Sequence, residues 1–156
     1  MTIAPAPTPN ARVTLADTRP AATTAEALVV GLVPGRGRAA KAEVVTPGLT
    51  AAVRTRLMEA FAALGARGTA GEVTRVPGGG TIAAPVVVGL GLGDSAKQAD
   101  PETLRRAVGD VVRALAGTRR VAIALPTADD DAVLTVAIAA QLAAYDHVAF
   151  RSASRK

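Results

Sequence analysis

The pattern of apolar positions along the chain predicts strands alternating with helices. Residues 86–92 read VVVGLGL, a run without a polar position, which is typical of a strand buried on both faces of a sheet. Two further runs, ALVVGLV and VAIAL, predict buried strands at residues 27–33 and 121–125. Alternating polar and apolar positions predict shorter strands at residues 12–15 and within residues 69–76.

Three segments repeat apolar residues at helical spacing, and helices are expected at residues 48–64, at 132–145, and from Pro101 until the chain reaches Gly117. The second helix has a start signal, because Asp100 can cap free amides and Pro101 suits a first turn whose N–H has no partner. With the strands before and after it, this helix predicts a βαβ unit, in which two parallel strands are joined by a right-handed crossover. The predicted fold class is therefore α/β.

The last predicted helix is apolar nearly all round. Residues 132–145 read AVLTVAIAAQLAAY, whereas a surface helix normally keeps one polar face. We therefore expect this helix to be buried on more than one side, with another domain or another subunit covering it.

Composition limits the function classes. The 156 residues are 49% hydrophobic and 20% charged, which is typical of one globular domain. Only 2% are aromatic, which disfavours a stacking platform for single-stranded nucleic acid, and the absence of Cys excludes disulfides, zinc–thiolate sites and thiol nucleophiles. The first ten residues lack the pattern of a secretory signal, and no apolar run reaches the roughly 18 residues of a membrane span. A cytoplasmic location without membrane contact is expected.

The charge is mildly basic, with 18 Lys and Arg against 13 Asp and Glu, a net charge of +5. Most arginines are scattered, which favours a solvated surface. The densest internal cluster is Arg36, Arg38 and Lys41, which leaves open a face that contacts nucleic acid or an acidic partner. The loop at residues 34–38 lacks the Gly-Lys-Ser/Thr ending of a P-loop, so a surface connection is favoured over a phosphate cradle.

No set of residues in the sequence forms a recognisable active site. Asp129, Asp130 and Asp131 could bind a metal, but they precede a helix whose dipole and amides favour negative charge, and we assign them to the helix start. His147, the single histidine, is assigned a structural role. Gly89 and Gly91 do not form a dinucleotide fingerprint, because Asp94 stands where the last glycine is required. We predict no catalytic, cofactor-binding or metal-binding residue in this chain.

The order of these segments resembles the N-terminal domain of leucyl (cytosol) aminopeptidases. The resemblance covers residues 12–156, and its central motifs are VVVGLGLGDS at 86–95 and ADPETLRRAVGDVVRAL at 99–115. Further matching segments are ALVVGLV at 27–33, the helix end at 61–65, TAGE at 69–72, VAIALP at 121–126 and AAYDHVAFRSASRK at 143–156. Within the last segment, His147, Val148 and Ala149 depart from the usual family pattern.

The resemblance implies a macro-domain-like fold, with a mixed, mostly parallel sheet sandwiched between helices. It also implies a division of the chain into a disordered arm at 1–11, the domain at 12–150, and the start of a linker at 151–156. Family members remove N-terminal residues from peptides with two divalent metals, zinc, manganese or magnesium, and they form homo-hexamers. Their metal ligands and catalytic residues lie in a C-terminal domain without a counterpart here, so this chain is expected to act only as part of a longer enzyme.

Three functions remain open from the sequence. The first is a non-catalytic domain that positions the catalytic domain and contributes to assembly with sister subunits. The second is a stand-alone macro-like module that binds a nucleotide or ADP-ribose through the loops after Val33 and Leu92. The third is a DNA-contacting role of the basic loop and tail.

Overall fold

The computed structural model describes residues 11–36, 41–95 and 100–144. The strands are β1 (Ala27–Val33), β2 (Glu43–Val44), β3 (Val73–Pro77), β4 (Val86–Gly91) and β5 (Val121–Ala124). The helices are α1 (Ala51–Ala63), α2 (Pro101–Ala114) and α3 (Asp130–Ala144), with single 3-10 turns at Pro20–Ala22 and Gly93–Ser95.

Strand β1 lies at the centre of one mixed sheet. One edge of β1 pairs with β4 in parallel, and β3 pairs antiparallel with the far edge of β4. The other edge of β1 is shared, because residues 27–30 pair in parallel with β5 while Leu32 and Val33 pair antiparallel with β2. The prediction of a mixed sheet with parallel central strands is confirmed. Strands β4 and β5 are parallel as predicted, but β1 lies between them.

Helices cover both faces of the sheet, and the alternation along β1 determines which side chains meet which helix. Leu28, Val30 and Leu32 point to the face covered by α1, where Phe61 is fully buried. Ala27 and Val29 point to the opposite face, which is covered by α2 and α3. Burying one such large apolar side chain contributes about 1.5–3 kcal/mol. Strand β1 is thus stabilised from both sides, as its unbroken apolar run predicts.

Each helix begins at a polar cap. The Thr50 hydroxyl accepts from the Val53 amide at 3.4 Å at the start of α1. The Asp100 carboxylate accepts from the Thr103 amide at 3.1 Å, with Pro101 as the first residue of α2, as predicted. At α3 the Asp129 carboxylate accepts from the Ala132 amide at 2.8 Å. Such caps satisfy amides that have no partner inside the helix.

The strands differ from the prediction in two places: one predicted strand is absent from the described structure, and one short strand was not predicted. The strand predicted at residues 12–15 is wrong: residues 11–17 form no regular secondary structure, and Leu15 is 87% exposed. Alternation alone does not supply a neighbouring strand, and within the described residues none pairs with this segment. Strand β2 was not predicted, because its two residues show no pattern and only pairing with β1 makes them a strand. The extended piece expected around His147 lies outside the described residues.

Candidate functional site

The most unusual surface of the domain is one side of α3. Leu134, Ile138 and Leu142 are 57%, 47% and 65% exposed. They follow one another at intervals of four residues, which places them on one side of the helix over two successive turns. We call these three residues the α3 stripe. A row of large aliphatic side chains of this kind is typical of a surface that another molecule covers.

The opposite side of α3 is packed inside the domain. Ala139 is buried, and Ala132, Val136 and Ala140 pack with it against the core on the α2 face of the sheet. Small residues allow α3 to approach α2 closely, so the helix is fixed in place before any partner arrives. Among the described residues, α3 is therefore packed on one side and exposes the α3 stripe on the other. The predicted cover by another domain or subunit stays a prediction.

The strand that leads into α3 is also incompletely covered. All four residues of β5 are half-buried, and β1 is its one strand neighbour within the described ranges. The edge of a sheet offers unpaired amides and carbonyls to a further segment. Strand β5 and the α3 stripe are therefore neighbouring parts of the domain that are only partly covered in the described structure.

A second candidate site is the edge of the sheet where β1 and β4 end. Here the loop of residues 67–72 lies across both strands. The Gly71 amide donates to the Gly91 carbonyl at 3.0 Å, and the Gly91 amide donates to the Glu72 carbonyl at 2.7 Å. Gly93 is tied to the same loop, because its amide donates to the Gly68 carbonyl at 3.0 Å. The glycines after β4 thus hold a neighbouring loop.

Glycine is required at two of these contacts. A side chain at Gly91 would overlap the carbonyl oxygen of Thr69, and a side chain at Gly68 would overlap the backbone of Val33. Gly68 also has a φ of +74°, which other residues rarely adopt. The Gly-rich run after β4 is thus explained by close backbone packing, and the dinucleotide fingerprint is not needed to account for it.

The carboxylate of Glu72 accepts hydrogen bonds from other residues of the loop of residues 67–72. One carboxylate oxygen accepts from the Arg67 amide at 3.0 Å, and the other accepts from the Thr69 amide at 3.1 Å and the Thr69 hydroxyl at 3.2 Å. Burial raises the pKa of Glu72, but the hydrogen bonds from Arg67, Thr69 and Gly68 lower it by more, so the net pKa lies below its usual value. Glu72 was not singled out from the sequence. In the sequence, the feature that points to Glu72 is its position just after the closely spaced Gly68 and Gly71.

Three consecutive aspartates lie at the start of α3, where negative charge stabilises a helix. Asp129 caps it, while Asp130 and Asp131 lie in its first turn. In the parts of the chain that the structure describes, no group of three or more His, Asp or Glu side chains could hold a metal ion. The family resemblance places the two divalent metals in a C-terminal domain, and the described residues offer no cluster of ligands that would hold them here. His147 lies outside the described residues.

The basic cluster is only partly described. Arg36 and Lys41 are exposed, and Arg38 lies outside the described residues. On α2 several arginines have acidic partners: Glu102 contacts Arg105 and Arg106 at 2.7 Å each. The pKa of Glu102 is held at about 2 by these hydrogen bonds. Because Glu102 offsets part of the positive charge of these arginines, α2 is a less basic surface than its arginines alone would make it.

None of the helices in the described residues is both long enough and apolar enough to span a membrane.

Comparisons with known proteins agree on one family. Residues 29–154 match the model for the cytosol aminopeptidase family, N-terminal domain. A probable cytosol aminopeptidase of Streptomyces griseus subsp. griseus is 39% identical over 138 residues, which cover 85% of this chain and 26% of that protein. One from Micrococcus luteus is 42% identical over 131 residues, 83% of this chain and 25% of that protein. The chain thus spans about a quarter of the length of the curated relatives it matches.

Solved structures are also similar to this chain over a quarter of their own length. The bottromycin maturation enzyme BotP matches with a TM-score of 0.54 and 26% identity, over 83% of this chain and 25% of that protein. BotP in complex with Mn matches with a TM-score of 0.55 and 25% identity, over 82% of this chain and 25% of that protein. The α/β fold with a mixed sheet is therefore shared with a quarter of each of these structures.

Proposed function

Because this chain belongs to the cytosol aminopeptidase family, whose N-terminal domain it matches, we propose that it acts as the non-catalytic N-terminal domain of a leucyl aminopeptidase. In this role it positions the catalytic domain and contributes to assembly with sister subunits. The longer enzyme removes N-terminal amino acids from peptides in the cytoplasm. A homo-hexamer is the assembly we propose for it.

The observation that carries this proposal is the α3 stripe. Leu134, Ile138 and Leu142 are exposed on a helix whose other side is packed into the core. Removing one such aliphatic side chain from water contributes about 1.5–3 kcal/mol. Covering the stripe therefore supplies a driving force for docking, and the curated relatives have three quarters of their length outside the match to provide the covering surface.

The chemistry belongs to the part of the enzyme outside this match. We propose that the full-length enzyme uses two divalent metals, zinc, manganese or magnesium, and that none is bound by this domain. The described residues offer no cluster of metal ligands, and one solved relative is described in complex with Mn. We derive no catalytic step through residues of this chain.

The test compares this chain alone with a hybrid chain. In the hybrid, this chain replaces the matched quarter of the Streptomyces griseus relative. Hydrolysis of a leucine anilide is measured for both, with added Mn²⁺, and their masses are measured by light scattering. We expect no hydrolysis by the chain alone, and hydrolysis by an oligomeric hybrid. Activity in the isolated chain, or a folded monomeric hybrid, would count against the proposal.

The two other functions have less support. The nucleotide-binding alternative uses the loops after Val33 and Leu92, and in the described residues the loop of residues 67–72 already packs against the ends of these two strands. A DNA-contacting role has Arg36 and Lys41 as exposed cations, whereas arginines of α2 are paired with Glu102. Duplex DNA that binds at low salt and dissociates as salt rises would support that role.

A further inference from the structure

The ends of β1 and β4 have the topology of a ligand-binding crevice. From β1 the chain continues through β2 to α1 on one face of the sheet, whereas from β4 it continues to α2 on the opposite face. Two adjacent parallel strands whose connections leave to opposite faces form a topological switch point. In open α/β sheets, ligands bind outside the carboxyl ends of the strands at such points.

In this domain a loop of the same chain packs against the ends of β1 and β4. The loop of residues 67–72 packs so closely on it that Gly68 meets the backbone of Val33 and Gly91 meets the carbonyl of Thr69. Backbone hydrogen bonds from Gly71, Gly91 and Gly93 fix the loop to the end of β4. Among the described residues, the loop therefore packs directly against the ends of both strands.

The loop also contains an arrangement of donors that suits an anion. The amides of Arg67 and Thr69 and the Thr69 hydroxyl converge on one point, and the Glu72 carboxylate lies there at 3.0–3.2 Å. Successive backbone amides that converge in this way bind phosphate and carboxylate groups in many proteins. Glu72 is thus an anion supplied by the chain, bound where an external anion would otherwise bind.

We propose that residues 67–72 form an internally occupied anion site, in which the Glu72 carboxylate excludes phosphate and carboxylate ligands from the amides of Arg67 and Thr69. Removing the carboxylate leaves the donors in place and opens the site to a small external anion. The tethered carboxylate competes at a high effective concentration, so external anions bind the unaltered chain only weakly.

The test uses the full chain with Glu72→Ala, titrated with inorganic phosphate and, separately, with acetate at pH 7. Amide chemical shifts follow binding at Arg67 and Thr69. We expect saturable shifts at these amides in Glu72→Ala, with an affinity at least about tenfold higher than in the unaltered chain, because the tethered competitor is gone. Glu59→Ala is the matched control: Glu59 is exposed on α1, so this variant removes the same charge away from the loop.

Two results would overturn the proposal. One is a folded Glu72→Ala chain whose Arg67 and Thr69 amides do not respond to either anion. The other is equal binding by the unaltered chain, which would mean that Glu72 excludes nothing. If Glu72→Ala does not fold, Glu72→Gln takes its place, and the thermal midpoints of Glu72→Gln and Glu59→Ala are measured with and without phosphate. Stabilisation of Glu72→Gln by phosphate, and not of Glu59→Ala, supports the proposal, and failure to stabilise Glu72→Gln contradicts it.

Discussion

The amide of Gly31 in β1 donates a hydrogen bond of 2.9 Å to the hydroxyl of Thr46. That hydroxyl in turn donates to the Ala124 carbonyl of β5 at 2.8 Å, and the Val45 amide donates to the Gly31 carbonyl at 3.0 Å. Gly31 lies where the edge of β1 changes from β5 to β2. Thr46 is fully buried there, so its side chain completes the hydrogen bonding that neither short strand provides.

Thr46→Val tests this arrangement, because valine has nearly the same shape and no hydroxyl. The substitution removes the hydroxyl that accepts from the buried Gly31 amide and donates to the Ala124 carbonyl, which is expected to lower the free energy of unfolding by about 1–3 kcal/mol. Denaturant unfolding measures it. The control is Thr55→Val, the same chemical change at an exposed position of α1. Equal effects of the two substitutions would mean that the Thr46 hydroxyl contributes nothing specific.

Local patterns predicted the elements that are buried on both faces or that begin at a cap. The run at residues 86–92 could only be a central strand, and Asp100 with Pro101 predicted the start of α2 to within one residue. Strand β2 and the role of Thr46 were not predictable in this way. Both depend on pairing with β1, which is distant in sequence, and their own residues carry no periodic signal.

The candidate sites were predicted to different degrees. The all-apolar pattern of α3 indicated a helix that needs a partner, and the exposure of Leu134 and Leu142 agrees with that need. The site at Glu72 was not predicted, because the donors that converge on its carboxylate are backbone amides of Arg67 and Thr69. Every residue has such amides, so only the folded loop distinguishes these.

Gly89→Ala is expected to destabilise the domain through overpacking. A methyl group there would lie 2.7 Å from the Phe61 ring and 2.5 Å from the Leu32 side chain, both in the core under α1. Overpacking of this kind costs about 1–3 kcal/mol. Adding Phe61→Leu should make the double variant less destabilised than the sum of the two single variants, since the ring that meets the methyl group is gone. Strictly additive free energies in denaturant unfolding would show that the ring is not the obstacle.

Glu72 is expected to make the stability of the domain depend on pH in the acidic range. Because its folded pKa lies below the usual 4.5, the unfolded chain binds this proton more readily than the folded chain. The stabilisation is therefore present above the unfolded pKa and is lost as pH falls through the folded pKa. Thermal midpoints of the unaltered chain and Glu72→Gln, measured from neutral to acidic pH, should converge as pH falls. Curves that stay parallel would show that the carboxylate does not titrate differently in the folded state.

The double variant Leu134→Gln, Leu142→Gln distinguishes an effect on docking from an effect on the stability of the domain. Both side chains are more than half exposed, and glutamine is a good helix former. The thermal stability of the isolated chain should therefore change little. In the hybrid with the Streptomyces griseus relative, the same pair should weaken docking by about 2–4 kcal/mol, because the still exposed part of two leucine side chains no longer contributes to the contact. Light scattering and resistance to limited proteolysis measure the loss of assembly.

The matched control for this pair is Leu64→Gln. Leu64 follows α1 and is 61% exposed, so it loses the same side chain from a surface away from the α3 stripe. An assembled, protease-resistant hybrid with Leu64→Gln and a dissociated one with the α3 pair would locate the contact on α3. If the α3 pair leaves the hybrid fully assembled, the stripe is not the docking surface. If it unfolds the isolated chain, then Leu134 and Leu142 stabilise the domain itself, which their exposure does not predict.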